Sequence, residues 1–190
     1  GLGDVYKRQI LELVKLYNSD QTSYYRSSEV EAVIHKALNY WFTAKPVCLN
    51  WWYNQIGIPK TLGTVFILFE KQLTPVEKQN AITVMENAKF GMTGQNKVWL
   101  AGNVMMRALL QNDYELVKMA RDTIASEIVT GGTEGIKDDW CFHQHGAQQQ
   151  FGNYGLSFVS GMSFFSGLFS GTSLAFDDKQ LSILSTLIDK

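Results

Sequence analysis

The stretch Pro59–Asn87, PKTLGTVFILFEKQLTPVEKQNAITVMEN, decides the fold class. Pro59 suits a first helical position, because its missing N–H would find no intrahelical acceptor there and its φ is already helical. The residues to Gln72 then read as one helix. Thr74, followed three residues later by Glu77, forms a capping box, and Pro75 opens a second helix reaching Asn87. Two helices joined by so short a link run antiparallel.

The same grammar extends in both directions. Ser28 and Glu31 read as a capping box for a helix to about Thr43, with Val30, Val33, Ile34, Ala37, Leu38 and Trp41 on one stripe. Ile10–Tyr17 reads as the end of an earlier helix. Ala44–Ile58 is irregular, with Pro46 and Gly57 breaking any period. Downstream, Val98, Ala101, Val104, Met105, Ala108 and Leu109 share one helical face. Asp113 reads as the cap of a helix to about Val129, and Leu156–Phe169 and Asp178–Asp189 are the last two helices. No segment reads as a strand with a pairing partner. The expected fold class is all-α, an array of antiparallel hairpins without sequence self-similarity.

Composition bounds the function. The 190 residues are 45% hydrophobic and 18% charged with net charge −1, which is globular and carries no electrostatic footprint for nucleic acid. Gly155–Phe169 looks apolar but is interrupted by serines and glycines, so no membrane insertion is expected. Cys48 and Cys141 lie far apart and form no CxxC pair. His143 and His145, with no further histidine nearby, do not make a zinc set, so neither metal nor cofactor is expected. The residues GLGDVYKRQ at 1–9 resemble linker-derived sequence, and we set them apart from the fold, leaving 10–190. No basic region followed by an apolar run marks a signal peptide.

Polar residues concentrate in Asn50–Gln55, Thr93–Lys97 and His143–Tyr154, between the helices. The last lies in DDWCFHQHGAQQQFGNYG, residues 138–155, whose polar groups follow neither a helical nor a strand period. A loop of this kind lines a cleft, and loops held on a rigid scaffold are where chemistry concentrates. Asn96 reads equally as a helix cap or as a catalytic amide; His145 and Tyr154, each alone, read as structural. Asp138 and Asp139 are adjacent and so do not provide the two carboxylates that flank a bond in glycoside hydrolysis.

The blocks NWWYNQIGIPKTLG, TGQNKVWLAGNVMMRALL and FHQHGAQQQFGNYG resemble three blocks of polysaccharide lyase family 8, which includes chondroitin AC, hyaluronate and xanthan lyases. The resemblance runs from about Asn50 to Val159. It implies an incomplete α/α toroid, truncated at both ends, from a protein that continues into β-domains. It also implies β-elimination on a uronic-acid-containing glycosaminoglycan of the chondroitin type. Hyaluronate or xanthan lyase, or a non-catalytic carbohydrate-binding helical module, are the alternatives.

By the resemblance, Asn96 neutralises the uronate carboxylate. Tyr154 removes the C5 proton and returns one to the leaving oxygen, and His145 assists as base or by positioning. An ordinary phenol, with a pKa of about 10, is a weak base at neutrality, so this chemistry calls for cations nearby. Trp51 and Trp52 correspond to an aromatic patch that packs on sugar rings. Asn50, Asn54 and Gln149 read either as donors to sugar hydroxyls or as residues that hold the loops. The family's catalytic arginine and glutamate fall beyond Lys190, and Gly155–Lys190 contains neither residue type, so the isolated chain is expected to be inactive. The resemblance further implies an acidic polysaccharide as partner, a monomer, and an extracellular or periplasmic location.

Overall fold

The computed structural model describes residues 2–190, with side chains from residue 5 onward. Eight α-helices are present among them: α1 (Leu2–Asn18), α2 (Ser28–Ala44), α3 (Ile58–Leu68), α4 (Pro75–Met85), α5 (Gly94–Gln111), α6 (Tyr114–Ala125), α7 (Leu156–Phe169) and α8 (Asp178–Asp189). The all-α expectation holds, with one correction. Two residue pairs do form strand: β1 (Gly135–Ile136) lies antiparallel to β2 (Phe142–His143), with Gly135 opposite His143. The hairpin is closed by the Lys137 N–H on the Cys141 carbonyl at 2.8 Å. It is too short for any two-residue period to register in the sequence.

The chain falls into two compact units. The first comprises 1–89 and 103–114. Ile10, Val14, Ile34, Leu38, Leu62, Val65, Phe66, Phe69, Met85 and Leu110 form its core, all essentially without solvent contact. Burying a side chain of this size contributes about 2 kcal/mol, so Ile34, Leu38 and Trp41 of the stripe read on α2 fix that helix, while Val33, read on the same stripe, is exposed. Ile10–Tyr17, read as the end of an earlier helix, is the C-terminal part of α1, which begins at Leu2, and Tyr6 stacks on Trp41 at 6.3 Å between ring centroids. The Thr74–Glu77 capping box is formed as read. The α2 cap is shifted by one residue: Ser27, not Ser28, accepts from the Val30 N–H, while Glu31 accepts from the Tyr17 hydroxyl.

Ala44–Ile58 is less irregular than expected. Residues Tyr53–Gly57 form a π-helical turn that runs directly into α3. Such a turn frees carbonyls from the ordinary ladder, and they are taken up by side chains. Asn103 Nδ2 donates to the Ile56 carbonyl at 3.1 Å, and the Gly57 carbonyl accepts from Lys7 Nζ at 3.3 Å and Thr61 Oγ1 at 3.1 Å.

The second unit comprises 90–102 and 115–190. Phe142 packs on Phe158 at 5.0 Å, Phe165 stacks on Phe169, and Phe169 meets Phe176 edge to face. Arg121 ties α6 to the α7–α8 connection through the Leu174 carbonyl at 2.8 Å, with its guanidinium over Phe176. A second π-helical turn, Phe151–Gly155, leads straight into α7. Gly155 is needed at its end, since a Cβ there would stand 3.1 Å from that of Phe142.

Candidate active site

The second unit carries Asn96, His145, Gln149 and Tyr154. Asn96 lies in the first turn of α5, which begins at Gly94, so Asn96 is inside the helix and is not its cap. The N-terminal amides of α5 are capped from elsewhere in the unit. Glu127 accepts from the Gly94 N–H at 2.7 Å and from Lys97 Nζ at 2.8 Å, and Gln144 Oε1 accepts from the Gln95 N–H at 2.9 Å. The negative charge of Glu127 also complements the positive end of the helix dipole. Gly94 sits at φ +58°, and any Cβ there would stand 2.5 Å from Gln144 Oε1. The glycine in TGQN is what lets the Gln144 amide close against the helix.

Asn96 itself is buried, and its side-chain oxygen has no hydrogen-bond partner. A buried amide in this state retains unused bonding capacity, which native interiors rarely leave. One helical turn on, Trp99 packs its ring 5.8 Å from that of Tyr154. Tyr154, on the second π-turn, meets His145: the phenol oxygen and His145 Nε2 are 3.0 Å apart, and the two rings stand edge to face at 5.1 Å. Tyr154 is half-buried and His145 exposed. The pair can exchange a proton directly, with the phenol donating to an unprotonated Nε2 or accepting from a protonated one. His145 has φ +59°, a left-handed conformation that costs a non-glycine residue free energy and marks a constrained position.

The other sequence-read residues hold loops or stand at the surface. Gln149 Nε2 points to Cys141 Sγ at 3.4 Å. His143 is in β2 and bridges to Gln149. In the first unit, Asn50 Oδ1 accepts from the Trp52 N–H at 2.9 Å. Asn54 makes a two-sided clasp on Cys48, accepting from its N–H at 2.9 Å and donating to its carbonyl at 2.6 Å. Trp51 is 42% exposed. Trp52 is half-buried, edge-on to Tyr53 at 5.3 Å. Among the described residues no group of three or more His, Cys, Asp or Glu side chains is arranged to hold a metal ion.

Four residues around this site were not singled out from the sequence: Trp99, Glu127, Glu134 and Gln144. Trp99 carries a signal in retrospect, lying one turn after Asn96 on the same helix. Glu134 carries none, because it sits in a glycine-rich turn, TGGTEG, that reads as a plain connection.

Comparison with known proteins identifies the family and the fold. The chain is 30% identical over 182 residues to chondroitinase-AC of Pedobacter heparinus, covering 93% of this chain and 26% of that protein. It is 25% identical over 173 residues to a xanthan lyase of a Bacillus species, covering 85% of this chain and 18% of the relative. A solved chondroitinase AC lyase, described in complexes with oligosaccharide, superposes with a TM-score of 0.87 at 28% identity over 97% of this chain and 28% of its own. The chain thus spans about a quarter or less of the length of these relatives. Residues 4–190 match the family model described as the N-terminal alpha-helical domain of polysaccharide lyase family 8, and the chain belongs to that family.

Proposed function

We propose that the chain supplies part of the catalytic cleft of a lyase that cleaves a uronic-acid-containing glycosaminoglycan of the chondroitin type by β-elimination. The observation that carries this reading is the His145–Tyr154 pair, a phenol and an imidazole 3.0 Å apart at a half-open surface. Elimination needs a base at C5, a donor to the leaving oxygen, and a group that stabilises negative charge growing on the carboxylate.

Tyr154 takes the C5 proton, the C4–O bond breaks as the C4–C5 double bond forms, and Tyr154 delivers a proton to the departing oxygen. His145, in hydrogen-bond contact with the phenol oxygen, balances its charge as the proton comes and goes. Asn96, one helical turn before the Trp99 whose ring Tyr154 packs on, supplies an amide. Its NH2 group is suited to a carboxylate. On this reading the full-length protein acts outside the cytoplasm, where the polymer is met, as a monomer and without a cofactor.

The test uses the full-length protein. Incubation with chondroitin in the presence of chelator raises ultraviolet absorbance, because the new double bond is conjugated with the carboxylate. Tyr154→Phe lowers the rate by about 10²–10⁴-fold while leaving substrate affinity nearly unchanged. New reducing ends without an absorbing product would replace the lyase with a hydrolase. A strong preference for hyaluronan or xanthan over chondroitin would move the substrate assignment within the family.

A further inference from the structure

Glu134 has no role in the chemistry above, yet its carboxylate collects donors from both sides of the candidate site. Its Oε1 accepts from the Gly146 N–H at 2.7 Å. Its Oε2 accepts from Thr93 Oγ1 at 2.5 Å and from Gln144 Nε2. Gln144 in turn donates to the Thr93 carbonyl at 3.2 Å and accepts from the Gln95 N–H at 2.9 Å. The residues immediately before and after His145 are thus both bonded to one carboxylate. That carboxylate also holds the turn from which the Asn96 helix starts.

We infer that Glu134 is the positioning residue of this site, fixing His145 against Tyr154 and setting the loop's register on the first turn of α5. The argument is one of acceptor chemistry. An ionised carboxylate is acceptor-only, and here three donors converge on it. A glutamine in its place must turn an NH2 toward one of those donors, so the site is specific for a carboxylate. His145, between the two tethered residues, has φ +59°, a conformation that persists where surrounding contacts over-determine it. Released from Glu134, the His145 backbone is free to relax toward common angles, carrying Nε2 away from the phenol. Glu127 secures the same helix end independently, through Gly94 and Lys97, so loss of Glu134 frees the loop rather than α5.

The inference rests on the lyase reading for its consequence in catalysis, but not for the tether itself. Hydrogen exchange and steady-state kinetics on the full-length protein test the two separately. In Glu134→Gln, exchange across residues 142–150 rises by roughly 10- to 100-fold, the range expected for losing a charge-assisted hydrogen bond. The kcat falls by a similar factor and KM stays within about twofold, since the reacting groups and not the binding surface are displaced. The double variant Glu134→Gln with Gln144→Glu restores an acceptor opposite a donor and recovers part of both effects. Unchanged exchange in Glu134→Gln would overturn the tether, and normal kcat with raised exchange would overturn its role in positioning. If the wild-type protein forms no unsaturated product, the lyase reading fails while exchange still decides the tether. Should Glu134→Gln not fold, Thr93→Val removes a single donor and shows a weaker version of the same pattern; no change there overturns the proposal.

Discussion

Glu77 in the first unit and Glu134 in the second are built alike and used differently. Glu77 is 2% exposed and accepts from His35 Nδ1 at 2.9 Å, Asn39 Nδ2 at 3.0 Å, and both the N–H and the hydroxyl of Thr74 at 2.9 Å. Its donors lie on α2 and at the cap of α4, so the carboxylate joins two packed helices. His35 completes the joint by standing edge-on to Phe69 at 5.2 Å. The donors of Glu134 lie on the loop around His145 and on the turn before α5. A carboxylate tied to helices holds a core together. One tied to loops holds a reactive side chain in place, and the fold is less sensitive to its loss.

That contrast gives measurable differences. Glu77→Ala removes the buried acceptor shared by half-buried His35, by Asn39 and by the Thr74 cap, and lowers unfolding free energy by about 3–5 kcal/mol in urea titrations. Glu134→Ala lowers it by about 1–3 kcal/mol; equal losses for the two would break the comparison. Acid sharpens it further. Burial pushes the Glu77 carboxyl up, but the Thr74 N–H, His35 and the Thr74 hydroxyl together outweigh it and hold the group below its ordinary value. A depressed carboxyl stabilises the fold above the unfolded-state pKa of about 4.3, and the contribution is lost as pH falls through the folded-state value. Wild-type stability therefore drops on acidification below that point, and Glu77→Gln shows a shallower drop over the same range. Thr74→Ala, which removes the cap but leaves the carboxylate with His35 and Asn39, costs about 1 kcal/mol in the same titration. The smallest stability change is expected of Tyr154→Phe, about 1 kcal/mol or less, despite its large effect on rate.

The parts of the fold legible in the sequence were those governed by local rules. The Thr74–Glu77 box and the stripe Val30–Trp41 are written in spacing alone, and α2 and α4 follow from them. The Ser27 cap was one residue off because Ser27 and Ser28 are both competent, and a long-range partner, Tyr17, decides where Glu31 turns. The two π-turns were not legible, since an extra residue in a helical turn leaves no mark on composition. At the candidate site, Asn96, His145 and Tyr154 were reachable only through a block resemblance, because each alone has an ordinary structural reading. Glu134 was not reachable at all. Its partners lie 41 residues upstream and 10 and 12 residues downstream, and only the folded chain brings them together.

The π-turn Phe151–Gly155 has a mechanical consequence. It is a helix with one residue to spare, and it runs into α7 without a break. It therefore acts as a phase shifter: the helix downstream keeps its own angular setting while Tyr154 keeps another. Each residue in an α-helix advances the side chains by about 100°. Deleting Asn153 would let the turn close into ordinary α geometry, leave Tyr154 in register with α7, and re-phase the upstream loop that carries His145 by about that angle, out of reach of the phenol. The turn Tyr53–Gly57 gears Trp51 and Trp52 to α3 in the same way. In this chain the aromatic side chains of both turns are aimed by the count of residues before the helix, and a one-residue deletion would mis-aim them without unfolding anything.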